Sequence, residues 1–151
     1  DELRVIVGKN VRIIAKIESR LALENLGGII DASDAILIDR GDLSREIALE
    51  SLPYIQKEII HRANNCNVPV YVATNLLETM IENLKPNRSE VNDVVNTLKD
   101  GADGLVLAAE TAIGKHPVSA VRMIKSLIYR YQNQIEFLSE ENLQPYSNLI
   151  V

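Results

Sequence analysis

Short runs of apolar residues alternate along this chain with longer stretches in which apolar positions recur every three or four residues, a switch between strand and helix periods that occurs four times. Asp1 to Lys9 carries Leu3, Ile6 and Val7 at helical spacing before Gly8 and reads as the end of a helix feeding the first strand. Val11, Ile13, Ile14 and Ile17 then form an almost continuous β-branched run, the pattern of a parallel strand covered on both faces. Leu21, Leu23, Leu26 and Ile29-Ile30 mark a short amphipathic helix, which Gly27 and Gly28 weaken by about 1 kcal/mol each. The second strand is Ala35-Ile36-Leu37-Ile38, followed by the polar turn Asp39-Arg40-Gly41-Asp42, with Asp42 in position to cap a short segment from Leu43 to Ile47. A longer helix is predicted from about Leu49 to Asn64, with Pro53 tolerable only in its first turn and Leu52, Ile55, Ile59 and Ile60 as its apolar stripe. The third strand is Val68 to Ala73, with Pro69 at its mouth and Thr74 at its end. Asn75 to Ile81 turns helical, Lys85-Pro86-Asn87 breaks it, and a helix begun by Ser89 with Asn92-Asp93 runs through Lys99 to Gly101. Gly104 to Ala108 is the fourth strand and leads into Glu110-Thr111-Ala112, the Gly114 turn and a last helix from Pro117 to about Tyr131.

Four strand-then-helix units with buried strands predict an α/β domain with a parallel sheet and right-handed connections. Two architectures remain: an open doubly wound sheet, or half of an eight-unit TIM-type (β/α)8 barrel. No glycine fingerprint follows the first strand, and every strand ends in polar candidates: Lys16 and Glu18, Asp39 to Asp42, Thr74, then Glu110-Thr111. That distribution favours barrel pieces, because barrel chemistry collects where strands end. The expected domain covers residues 1–138, with 139–151 a polar tail or the start of a following element.

Composition narrows the class without changing the fold. With 46% apolar residues in 151, the chain can bury one sizeable core. A net charge of -5 with acids and bases interspersed argues against a nucleic-acid surface. No apolar run approaches the roughly 18 residues that span a bilayer, and no signal peptide is apparent, so no membrane partner is expected. The cytoplasm is the default compartment, with a plastid also compatible. The single Cys66 cannot form an internal disulfide and reads as structural. His61 reads as a surface residue and His116 as a turn or capping residue. The first residue is Asp1, and Asn148-Leu149-Ile150-Val151 looks like an element cut off as it begins, so a portion of a longer protein is expected.

The candidate chemistry starts at Lys16 and Glu18. Two apart on an extended strand, they point to the same side, so an ammonium and a carboxylate reach toward one spot. A local, solvated ion pair is the plain alternative.

Val11-Arg12-Ile13-Ile14-Ala15-Lys16-Ile17-Glu18-Ser19 resembles the active-site signature of the pyruvate kinase family, and three further stretches resemble that family in the right order. Asp39-Arg40-Gly41-Asp42-Leu43 is similar to its Arg-Gly-Asp-Leu turn. Ala73-Thr74-Asn75-Leu76-Leu77-Glu78-Thr79-Met80 is similar to Ala-Thr-Gln-Met-Leu-Glu-Ser-Met, and Pro86-Asn87-Arg88-Ser89-Glu90-Val91 to Pro-Thr-Arg-Ala-Glu-Val. Gly101-Ala102-Asp103 and Glu110-Thr111-Ala112 follow suit, and together these motifs cover about residues 2 to 131. The resemblance implies the second half of the catalytic barrel, strands five to eight, with a first half and an inserted lid domain before it and a regulatory domain after. It implies that Lys16 neutralises the phosphoryl group passing between phosphoenolpyruvate and ADP, and that Glu18 and Asp42 bind Mg2+ or Mn2+. It further implies that the Gly41 and Asp42 backbone N–H groups and the Thr74 hydroxyl receive the substrate carboxylate. K+ and ADP/ATP are expected only with the missing half, which in the family carries the potassium ligands, a phosphate-contacting arginine and most of the nucleotide site.

The chain departs from the family pattern at several positions. Ala108-Ala109 stands where Ser-Gly usually precedes Glu-Thr-Ala, removing a hydroxyl associated with enolpyruvate protonation, and Asp39 replaces a small residue, adding a carboxylate beside the expected metal. Leu21 replaces a polar residue and Ser44 a glycine. Three readings follow: a phosphotransferase half barrel inactive in isolation, a non-catalytic half barrel that binds an oxoacid and divalent metal or serves assembly, and, more remotely, an enolate lyase. A half barrel leaves two open sheet edges, so an N-terminal half or a second copy is the expected partner.

Overall fold

The computed structural model describes residues 2–133. The tail expected over 139–151, and the last residues of the expected domain, lie outside the described residues. The chain begins with α1 (Glu2–Val7), which ends at Gly8 with a φ of 74°. Arg4 fastens α1 to the sheet, donating to the Val11 carbonyl at 2.6 Å and pairing with Asp34 at 2.5 Å. The Asp34 carboxylate also accepts from the Ile13 N–H at 2.6 Å, and the Arg4 bond followed by this one holds its pKa below the usual range.

The first strand, β1 (Ile14–Ile17), is shorter than the apolar run. The single helix expected after it breaks at Asn25 into α2 (Arg20–Glu24), capped by the Ser19 hydroxyl, and α3 (Leu26–Ala32). Next come β2 (Ala35–Asp39) and α4 (Arg40–Glu46). A 3-10 turn over Leu49–Ser51 opens α5 (Leu52–Asn65), with Pro53 in the first turn, where its missing N–H costs nothing. Then come β3 (Val70–Ala73) and, where a helix was expected over Asn75 to Ile81, a 3-10 turn confined to Glu78–Ile81. The next helix, α6 (Arg88–Lys99), starts ahead of Ser89 because Asn87 and Glu90 form a reciprocal capping box. It is followed by Gly101 at φ 100°, β4 (Gly104–Val106), α7 (Ala109–Ala112) and α8 (Pro117–Gln132).

All four strands are parallel in the order β1-β2-β3-β4, each lying beside its predecessor. A doubly wound sheet reverses its strand order at a switch point, and no reversal occurs here, so the sheet is an arc of a barrel. Lys16 stands opposite Leu37, Leu37 opposite Tyr71, and Tyr71 opposite Gly104. These residues share one face, because alternate strand residues point the same way. The other face carries Ile17, Ile36, Ile38, Val70 and Val72, all at 0% exposure, packed with Leu26, Ile30, Ile59, Ile60 and Ala63 of α3 and α5. Burial of each such side chain contributes roughly 1.5–3 kcal/mol. A second cluster joins Leu76, Leu77 and Met80 to Val94 and Leu98 of α6 and Ala120 and Ile124 of α8.

One expectation is corrected at β1. Its apolar run reads as covered on both faces, yet Ile14 is 56% exposed and Ile17 is the strand's one buried residue. The cause is position: β1 is an edge strand, paired only with β2 among the described residues.

Candidate functional site

The ends of β1 and β2 bring four charged groups to one point. The Lys16 ammonium lies 2.5 Å from Glu18 Oε2, 2.7 Å from Asp39 Oδ2 and 3.4 Å from Asp42 Oδ2. The spacing argument for Lys16 and Glu18 therefore holds, and what it left open is filled by the neighbouring strand, whose register sets Lys16 beside Leu37, two residues before Asp39. The hydrogen bond to Asp39, then that to Glu18, raises the Lys16 pKa far above its ordinary value, so the ammonium is fully charged. For Asp39, burial pushes the pKa up, but the Lys16 ammonium, the Asp42 N–H and the Thr74 hydroxyl outweigh it, and the net shift is downward.

Asp39 also corrects the expected capping. It is Asp39, not Asp42, that caps the helix: its carboxylate accepts from the Asp42 N–H at 3.3 Å, and α4 starts at Arg40 rather than Leu43. Asp42 sits in the first turn, where a negative charge is favoured, and is paired additionally with Arg45 at 3.1 Å.

Thr74 reaches the cluster from β3. Its hydroxyl accepts from the Gly41 N–H at 2.8 Å and lies within donating distance of Asp39 Oδ1 at 3.1 Å and the Ala73 carbonyl at 2.6 Å. The backbone at Thr74 and Asn75 is left-handed, with φ of 67° and 53°, an uncommon conformation for a β-branched residue. Arg40 holds it there. Only 7% exposed, its guanidinium donates to the Thr74 carbonyl at 3.1 and 2.9 Å and to the Asn75 carbonyl at 2.8 Å, and it pairs with Asp93 of α6 at 2.6 Å. A Cβ on Gly41 would come to 3.4 Å from both Asp39 Oδ1 and Thr74 Oγ1, an ordinary van der Waals contact at this crossing of three elements.

Other strand-end candidates lie elsewhere. Glu110 is 1% exposed and accepts from the Leu77 and Ala108 N–H groups at 3.0 and 2.9 Å, so it joins two backbone segments. Thr111 donates to the Ala108 carbonyl at 3.2 Å. His61 is exposed beside Asn65, and His116 stands at the N-cap of α8 without a side-chain capping bond. Cys66 is exposed at the C-cap of α5. The burial of Arg40 and the capping role of Asp39 are what sequence reasoning missed. For Asp39 a signal existed, since an acid directly after an apolar strand run and just before a helix is an N-cap pattern. For Arg40 there was none.

One oxygen each of Glu18, Asp39 and Asp42 lie within 4.8 Å of one another. An all-oxygen donor set with two half-exposed members fits a hard divalent cation such as Mg2+ or Mn2+, which takes few carboxylates and keeps positions for other oxygens. None of the helices described is long and apolar enough to cross a membrane.

Comparisons with known proteins match most of the chain. A family model described as the pyruvate kinase barrel domain matches residues 2–121. The pyruvate kinase of Thermotoga maritima is 48% identical over 130 residues, covering 86% of this chain and 28% of that protein. The pyruvate kinase of Mycobacterium tuberculosis is 46% identical over 122 residues, covering 81% of this chain and 26% of the relative. The chloroplastic pyruvate kinase isozyme G of Ricinus communis is 42% identical over 124 residues, covering 82% and 30%. The chain thus spans less than a third of the length of these relatives.

Proposed function

The chain belongs to the pyruvate kinase family, and from that premise we propose that it forms strands five to eight of a (β/α)8 barrel whose domain extends over residues 1–138. Completed by a first half, that barrel transfers a phosphoryl group between phosphoenolpyruvate and ADP, giving pyruvate and ATP. The observation that carries the reading is the meeting of Lys16 with Glu18, Asp39 and Asp42 at the C-terminal ends of neighbouring parallel strands, one bond away from Thr74. In this reading Glu18 and Asp42 hold Mg2+ or Mn2+, and the bound ion supplies Lewis-acid polarisation and charge neutralisation. Lys16 offsets charge on the transferring group without reacting itself. Thr74, with the backbone at Gly41 and Asp42, orients the substrate carboxylate. K+ and the nucleotide depend on the completing half. We place the protein in the cytoplasm by default; relatives from Ricinus communis and Nicotiana tabacum are chloroplastic.

Thermal unfolding with Mg2+ plus oxalate, an enolate mimic, tests the site through ligand-linked stability. The expected result is a rise in Tm over that with Mg2+ alone, the increment due to oxalate, that is lost in Lys16→Ala and Asp42→Ala. No rise, or an equal rise in both variants, sinks the assignment.

A second reading, a non-catalytic half barrel retaining an oxoacid and metal pocket or serving assembly, is favoured by particular residues. Ala108 lacks the hydroxyl expected for proton delivery, and Asp39 already accepts from the Asp42 N–H and the Thr74 hydroxyl, two of the donors a substrate carboxylate would use. An oxalate-dependent shift without pyruvate formation by the protein at its natural length selects this second reading.

A further inference from the structure

We propose that Lys16 is the resident cation of the carboxylate cradle, that a divalent ion and this ammonium are alternative occupants of it, and that ion binding therefore releases Lys16 toward an anionic ligand. The inference rests on the metal reading above and adds an order of events to it: ion first, phosphoryl-bearing ligand second.

Geometry carries the argument. The three carboxylate oxygens lie within 4.8 Å of one another. Oxygens bound to a single magnesium at about 2.0–2.1 Å are at most about 4.2 Å apart, so the cradle needs only a slight contraction to hold one ion. The point onto which it would contract is already taken, since the Lys16 ammonium approaches the same three side chains at 2.5, 2.7 and 3.4 Å. Two cations cannot share a space of that size. The cradle is also built for exchange on one side only. Asp39 is a fixed wall, with 10% of its side chain exposed and its second oxygen held by the Asp42 N–H and the Thr74 hydroxyl. Lys16, Glu18 and Asp42 are each a little over 40% exposed, so the long lysine side chain has solvent to move into and an ion has a path in. Three carboxylates against the Lys16 ammonium and the Arg45 guanidinium, which pairs with the outer oxygen of Asp42 at 3.1 Å, leave one net negative charge at the cluster, which draws a further cation while Lys16 still blocks the position.

Mn2+ alone, added to the protein at its natural length and followed by the electron paramagnetic resonance of the free ion, tests the exchange. Lys16→Met keeps the chain length and removes the competing charge, and should tighten Mn2+ binding on the order of tenfold, while Glu18→Gln weakens it. Unchanged or weaker affinity in Lys16→Met, with Glu18→Gln still weakened, overturns the exchange and leaves the metal reading standing. Mn2+ binding absent from the wild type and both variants overturns the two together. A measurement on the wild type guards against a variant that fails to fold: acetylation of Lys16, read by peptide mass spectrometry against exposed Lys57, should accelerate several-fold on saturation with Mg2+. No acceleration overturns the exchange.

Discussion

Asp39 ends a strand, caps a helix and holds a lysine, and the last two tasks favour its ionised form. Its replacement by alanine should cost about 0.5–2 kcal/mol through the lost cap. The pH dependence follows from the downward shift of its pKa: the folded protein binds this proton less readily than the unfolded chain, so the stabilisation is present above the ordinary aspartate value and is lost as pH falls through the lower folded value. Urea titrations of wild type and Asp39→Ala at several pH values should give a stability gap that is constant above about pH 5 and narrows below about pH 4. A gap that widens on acidification would contradict the assignment of Asp39 as an ionised cap.

At the scale of elements, the site depends on how the loop after β3 is pinned to α4 and α6. The left-handed pair Thr74 and Asn75 is an arrangement the local sequence does not favour, and the Arg40 guanidinium supplies the compensation through two carbonyls and Asp93. Arg40→Ala should therefore destabilise the protein by roughly 2–3 kcal/mol, the worth of charge-assisted hydrogen bonds at a nearly buried position. Asp93→Asn should cost less, because Asp93 is 41% exposed and Arg40 keeps its carbonyl partners. Denaturant midpoints of the two variants check the order, and a larger loss in Asp93→Asn would reverse the account of which partner does the holding.

For the molecule as a whole, the sheet has helices on one face, while Ile14 and Val106 on the other are 56% and 38% exposed. β1 and β4 each pair on one side only within the described residues, so both present unpaired backbone groups. Open parallel edges and an uncovered apolar face are costly in water, and a barrel arc resolves both by pairing with further strands. Light scattering on the 151-residue chain should find it associated, and a stable monomer over a range of concentrations would count against this.

The amino-acid sequence by itself determined the four βα units, the polar residues at the strand ends and the family, because these rest on local periods and on motifs contiguous in the chain. Lys16 and Glu18 were legible as a pair since a strand's two-residue repeat is enough to put them on one side. Helix starts were less legible: Asn87 and Asp39 took the capping positions because caps depend on backbone angles one residue outside the helix, which periodicity does not report. Tertiary structure alone decided three things. It exposed Ile14, since burial of a strand depends on having a neighbour on each side, and it buried Arg40, whose partners lie 34 to 53 residues away. It also turned the lysine and carboxylate pair into a cradle closed by Asp39 and Asp42, because parallel register, which no single segment encodes, brings the end of β2 beside the end of β1.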